Sequence, residues 1–239
     1  ATSATVPVPM SGSRKNYVFG SNNYKVTIGI LREVAKLRLK VLFDADFLDF
    51  YGSRMTIGGV AGDVKMRAVN NPNRTFVVRR DPAANPTISN DAAYKLINYP
   101  MRAAMASHTA TPYNYYTDSC YVTENAVYGK LLRETSTYII LQVPYTLDGG
   151  SKTDNYYKIY IDNSTEDAAD PHLVLRNYIY DLTVTITGLG MPEELAVPDA
   201  LRSEMTIADW GVVIMDDTRL ESDDKNGDIE GNIDPWNPN

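Results

Sequence analysis

The chain has 239 residues, 44% of them hydrophobic and 22% charged, which is enough to bury a core and too apolar for wholesale disorder. A net charge of −7, with no run of Lys or Arg longer than Arg79-Arg80, argues against nucleic-acid binding, which needs a basic face. There is no stretch of 18 apolar residues from which to build a membrane-crossing helix, and the single cysteine, Cys120, excludes an intramolecular disulfide.

Tyrosine is common, 17 residues against 5 Phe, and its half-wettable ring favours pleated, partly buried surfaces. The chain begins in a small-residue stretch without Met, which reads as a processed or trimmed form. Strand-like alternation begins with Val26, Ile28 and Ile30, and resumes with Leu37, Leu39, Val41 and Phe43. Residues 31–36 between them are compatible with a helix, but clean period 2 on both sides favours a bent strand. Short strands follow at Met55–Val60 and Arg74–Val78. From Asp81 to Ser107, Pro82, Pro86 and Pro100 interrupt any apolar period, so a loop-rich connection is expected there.

A second strand series follows: Cys120–Val122, Thr137–Val143, Tyr156–Ile161, Asn177–Thr187, and Met205 through Met215. The run Asp148-Gly149-Gly150-Ser151 marks a turn. Two series around a Pro-rich connection predict an all-β protein of two β-sandwiches in tandem, residues 1–107 and 108–239, divided near 105–112. From Asp216 to Asn239 the chain is acidic and polar. Ile229, Ile233 and Trp236 are its large apolar residues from there apart from Leu220, and they are candidate anchors either of a donor-type segment or of a tail packed on its own domain.

Catalytic chemistry is hard to place. His108 and His172 lie beside loop signals and outside any zinc pattern. Cys120 reads as a small buried apolar side chain, not a nucleophile. Gly188-Leu189-Gly190 is too short for a dinucleotide fingerprint. Placing Gly227 at the sixth position of a calcium loop puts Ser222 first and Ile233 twelfth, where Asp and Glu are needed. No enzyme activity, cofactor or metal is expected. Arg176 and Asn177 read as a turn and strand start, Tyr178 and Tyr180 as packing residues on one strand face, and Trp210 as a core residue.

Four segments together resemble the fimbrillin family of Bacteroidales bacteria, subunits of type V pili. They are Val8-Pro9-Met10-Ser11-Gly12; Ile30-Leu31-Arg32-Glu33-Val34-Ala35-Lys36-Leu37; Cys120-Tyr121-Val122-Thr123-Glu124-Asn125; and Leu175-Arg176-Asn177-Tyr178 through Gly188. The resemblance implies two transthyretin-like β-sandwich domains. It also implies export to the cell surface as an outer-membrane lipoprotein precursor, cleavage after an Arg that removes the first strand, and head-to-tail polymerisation with copies of itself or related pilins by donor-strand exchange. The lipobox Cys and the residues expected before Pro9-Met10-Ser11-Gly12 are missing from the chain, in keeping with such removal. A tip or accessory pilin acting as an adhesin toward host protein or glycan, and a carbohydrate-binding β-sandwich module, are the alternative functions.

Overall fold

The alternation along the chain becomes fourteen strands and one short α-helix in the computed structural model, which describes residues 9–11, 27–58, 63–75, 95–110, 113–125, 135–161, 172–194, 201–209 and 213–216. In chain order the elements are β1 (Met10–Ser11), β2 (Thr27–Arg32), β3 (Val34–Phe43), α1 (Ala45–Tyr51), β4 (Met55–Ile57), β5 (Lys65–Val69), β6 (Asn71–Pro72) and β7 (Leu96–Ile97). They continue with β8 (Ala106–His108), β9 (Tyr115–Thr123), β10 (Tyr138–Leu147), β11 (Thr153–Tyr160), β12 (Tyr178–Ile186), β13 (Leu201–Asp209) and β14 (Val213–Asp216).

Two sheets carry the fold. One has the order β13-β12-β3-β9-β8, with β12 and β3 parallel and the other neighbours antiparallel. The other places β10 between β11 and the consecutive β4 and β5. Period 2 explains their packing. Ala35, Leu37, Leu39, Val41 and Phe43 of β3 all point inward, as do Tyr180, Leu182, Val184 and Ile186 of β12. They meet Ile139, Leu141, Val143 and Tyr145 of β10 in one continuous core.

That core corrects the expected division of the chain. A boundary at 105–112 would put β3 and β12 in separate sandwiches, yet they lie side by side, Leu37 opposite Tyr180 and Leu39 opposite Leu182. Strand β10, from the second half, likewise pairs with β5 from the first, Leu141 opposite Met66. The described strands therefore interlock into one sandwich instead of two in tandem. Alternation reports which face of a strand is buried, not which strand it will pair with, so the sequence pattern could not show this.

The flanks of the sandwich close differently. On one flank, residues 99–105 run along β5, the N–H groups of Tyr99, Arg102 and Met105 donating to the carbonyls of Ala68, Met66 and Val64 at 3.0, 2.9 and 2.8 Å. They then feed β8 at the edge of the five-stranded sheet. On the other flank, residues 188–191 cross toward β11, where Tyr156 and Met191 exchange backbone hydrogen bonds. Gly190 sits so close to Tyr157 that a Cβ there would lie 2.9 Å from its ring, a contact that only glycine avoids.

The buried hydroxyls here form a chain. Tyr157 donates its only O–H to the carbonyl of Gly188 at 2.8 Å, so Tyr145 donates to Tyr157, also at 2.8 Å. The turn between β10 and β11 has positive φ at Asp148 (50°) and Gly149 (69°), and Gly150 N–H closes it on Leu147 O at 2.8 Å, the type I′ geometry that Asp-Gly favours.

Candidate functional site

The four segments singled out in the sequence converge at one end of the sandwich. Met10 and Ser11 pair with Arg32 and Leu31, and the carbonyl of Pro9 accepts from the N–H of Glu33 at 2.9 Å. Glu33 is the break between β2 and β3, where the chain passes from a small three-stranded sheet (β1-β2-β14) into the five-stranded one. Asn177 holds this bend from the other side. Its N–H donates to Val34 O at 2.9 Å, and its side-chain oxygen accepts from Arg32 N–H at 3.2 Å. It does so in the left-handed region, φ 63°, which Asn tolerates better than most residues.

The third and fourth segments meet through a buried ion pair. Arg176, with 1% of its side chain exposed, donates from Nε to Glu124 at 2.8 Å and from Nη2 to Thr75 Oγ1 at 2.6 Å. One residue along, Asn125 and Val174 form a two-way backbone bridge at 2.8 and 2.9 Å. The Asn125 amide reaches Asn70 O, Thr135 O and Thr137 Oγ1 at 3.1–3.3 Å. Thus Glu124-Asn125 and Arg176-Asn177 are the two halves of one polar lock. Taken separately along the chain, they read only as strand ends. Glu and Arg both flanking Asn at strand termini was the one signal that could have paired them. Just after the lock, Tyr180 turns its buried hydroxyl back to accept from Leu175 N–H at 2.8 Å, as the tyrosine corner of Greek-key sandwiches does. Tyr178 and Tyr180 both pack on the main core.

An open flank lies beside this lock. Strand β13 is the terminal strand of the five-stranded sheet, and beyond β12 it has no partner among the described residues. Its inward residues Leu201, Met205 and Ile207 are only partly buried, whereas Leu182 and Val184 of the adjacent strand are 2% and 0% exposed. The core thins where the sheet ends, next to a nine-residue backbone edge.

The outer face of the same sheet is also uncovered by any described element. Lys36, Arg38 and Lys40 stand in a column along its central strand. Arg38 pairs with Asp181 and keeps half of its own side chain exposed. Lys36 lies over the Tyr121 ring and Lys40 over the Tyr115 ring, at 6.0 and 4.8 Å from the centroids.

The remaining sequence candidates fall as follows. Cys120 is buried on β9, and burial pushes its thiol up to about 11 from 9.0. His108 is stacked on Tyr115 and hydrogen-bonded to Thr117 Oγ1 at 2.7 Å. Among the described residues no three His, Cys, Asp or Glu side chains group to hold a metal ion, and no helix is long and apolar enough to cross a membrane. Ile229, Ile233, Trp236 and Trp210 lie outside the described residues.

The buried thiol carries a prediction. A thiol held protonated by the fold stabilises it up to the unfolded pKa near 9, and that stability is lost as pH rises through 11. A two-unit shift is worth about 2–3 kcal/mol. Tyr157, pushed up to about 12 mainly by burial, adds its own loss above pH 10. Urea unfolding from pH 8 to 12 should show stability falling from pH 9 onward. In Cys120→Ser the fall should start about one unit later, and the serine should cost at most a few kcal/mol at pH 7. An identical onset in both proteins would contradict the assignment.

No protein-family model matches the chain, and no curated protein matches it. Solved structures do. One is a protein ascribed to cell adhesion from Bacteroides eggerthii, 15% identical over 77% of this chain and 57% of that one, with a TM-score of 0.46. Another, ascribed to cell adhesion in Parabacteroides distasonis, is 16% identical over 76% and 53%, also at 0.46. A third is a fimbrilin from Porphyromonas gingivalis, 16% identical over 77% and 59%, at 0.43. The chain spans somewhat more than half the length of each.

Proposed function

We propose that this chain is a structural subunit of a cell-surface fimbria, joined head to tail to further copies or to related pilins by donor-strand exchange. The observation that carries the reading is the open flank at β13. An extended segment from a neighbour would continue the sheet through its backbone and cover Leu201, Met205 and Ile207 with alternate side chains. Such a contact joins different surfaces of two copies and does not close on itself, so it generates a fibre. No catalysis is required of the chain.

The donor in this reading is the stretch beyond β14, anchored by Ile229, Ile233 and Trp236. Ile229 and Ile233 share a parity and would face the same side of an extended segment. Trp236 has the opposite parity and joins them only if Pro235 bends the strand. Burying the three would contribute roughly 5–8 kcal/mol gross, at about 1.5–3 kcal/mol per large side chain. Export to the cell surface as a lipoprotein precursor, with removal of a leading segment, belongs to the same reading.

Deleting residues 226–239 tests it. The expected result is a monomer of unchanged stability that no longer enters fibres. Fibres of normal length, or a monomer destabilised by several kcal/mol, would contradict it. Gold-labelled antibody against the chain separates the roles: label along the fibre marks a shaft subunit, label confined to the end marks a tip adhesin.

A further inference from the structure

We propose that the Lys36–Arg38–Lys40 column is an electrostatic docking surface for the acidic C-terminal stretch of a second copy of this chain. This deepens the fimbrial reading and rests on it.

Charge distribution comes first. Residues 216–239 hold eight acidic and two basic side chains, a net of −6 in a chain whose total is −7. The rest of the protein is therefore nearly neutral, and its cations are free to be concentrated. They are concentrated on the outer face of the five-stranded sheet. Lys36, Arg38 and Lys40 recur at period 2 on β3, with Arg202 two strands away; Arg38 is paired with Asp181, Arg202 with Asp44, and Glu204 lies on the same face. Among the described residues no carboxylate lies within ion-pair distance of Lys36 or Lys40; each ammonium rests over a tyrosine ring instead. A cation over an aromatic face keeps its outward side available to an anion.

Direction argues for another copy as the source. Strand β14 runs antiparallel to β2, with Val213 opposite Ile30 and Asp216 opposite Thr27. Up to Asp216, the last described residue, β14 runs away from Glu33 and from the column on β3. A segment arriving from a neighbour meets no such obstacle. Seated on the β13 edge, it would lie about 14 Å from β3, three strand spacings away. The thirteen residues 216–228 ahead of Ile229 span up to about 40 Å when extended, which covers that distance. The anchors would then supply the apolar contact, and the acidic run would supply steering and register, which sensitises assembly to salt.

The test is carbodiimide cross-linking of the full chain, using an equal mixture of ordinary and 15N-labelled protein under assembly conditions. The expected products join Lys36 or Lys40 to carboxylates within 216–239, carry mixed isotopes, and disappear in 1 M NaCl. Absence of these links, or links of unmixed isotope only, which mean the tail folds back on its own copy, would overturn the proposal. A second arm separates it from the donor-strand reading. Lys36→Glu with Lys40→Glu should slow low-salt assembly at least tenfold, with circular dichroism unchanged. Should that pair misfold, Lys36→Gln with Lys40→Gln replaces it and should slow assembly severalfold. Unchanged assembly by a folded variant would remove the docking surface and leave the donor segment standing. Unchanged assembly after deletion of 226–239 would remove the donor segment itself.

Discussion

Glu124→Ala lowers the unfolding free energy by about 3–5 kcal/mol, the range for stranding one member of a buried ion pair. The cost comes from the charge that remains. Arg176 keeps its charge with 1% of its side chain exposed, and the Thr75 hydroxyl at Nη2 cannot replace the carboxylate 2.8 Å from Nε. Removing both charges is a different experiment. Glu124→Leu with Arg176→Met removes both members of the pair, so the double variant should lose less than Glu124→Ala alone. Urea unfolding at neutral pH measures both. A Glu124→Ala protein within 1 kcal/mol of the parent would mean that the lock is not a dry ion pair.

Leu39→Ala is expected to cost about 2–5 kcal/mol, since a fully buried Leu leaves a cavity that its neighbours fill only in part. Its second consequence separates two architectures. Leu39 lies in the first half of the chain but packs in the same core as Leu141 and Leu182. In one interlocked sandwich the variant shifts the whole transition, and circular dichroism and tyrosine fluorescence still coincide. Two independent sandwiches would instead yield a biphasic curve with only one phase moved.

The strands themselves were legible in the sequence. Leu37 through Phe43 and Asn177 through Thr187 appear within three residues at either end as β3 and β12, because each buries one face and alternation is the direct record of that. The preference for a bent strand over a helix at residues 31–36 holds, with Glu33 as the bend. Asp148-Gly149 is the turn its composition indicated. The run from Met205 to Met215 contains two strands, β13 and β14, that pair with different partners.

Helix α1 escaped notice because it is seven residues long, too short for a period of 3.6 to repeat. Its signal was Asp44, whose side chain caps the N–H of Asp46 at 3.0 Å, with Phe47 buried three residues on. The parallel pairing of β3 with β12 joins residues more than 140 positions apart, and nothing local encodes it. The lock was half legible. Arg176 and Asn177 do start a strand after a turn, as read, but the burial of Arg176 and its pairing with Glu124 follow only from that long-range pairing. The basic column was hidden by the same alternation that revealed β3. Lys36, Arg38 and Lys40 read as the wet side of a strand, and only the sheet order shows that this side is the open face of the central strand.

Fimbrial assembly by strand donation requires that β13 be the edge to which a neighbour's strand is added. Amide hydrogen exchange of residues 201–209, compared between monomer and fibre, measures this directly. In the monomer, the amides of β13 that do not bond to β12 should exchange rapidly, since that edge has no partner strand among the described residues. In the fibre they should be protected as strongly as those of β12. Equal, rapid exchange of these amides in both states would contradict strand addition at β13.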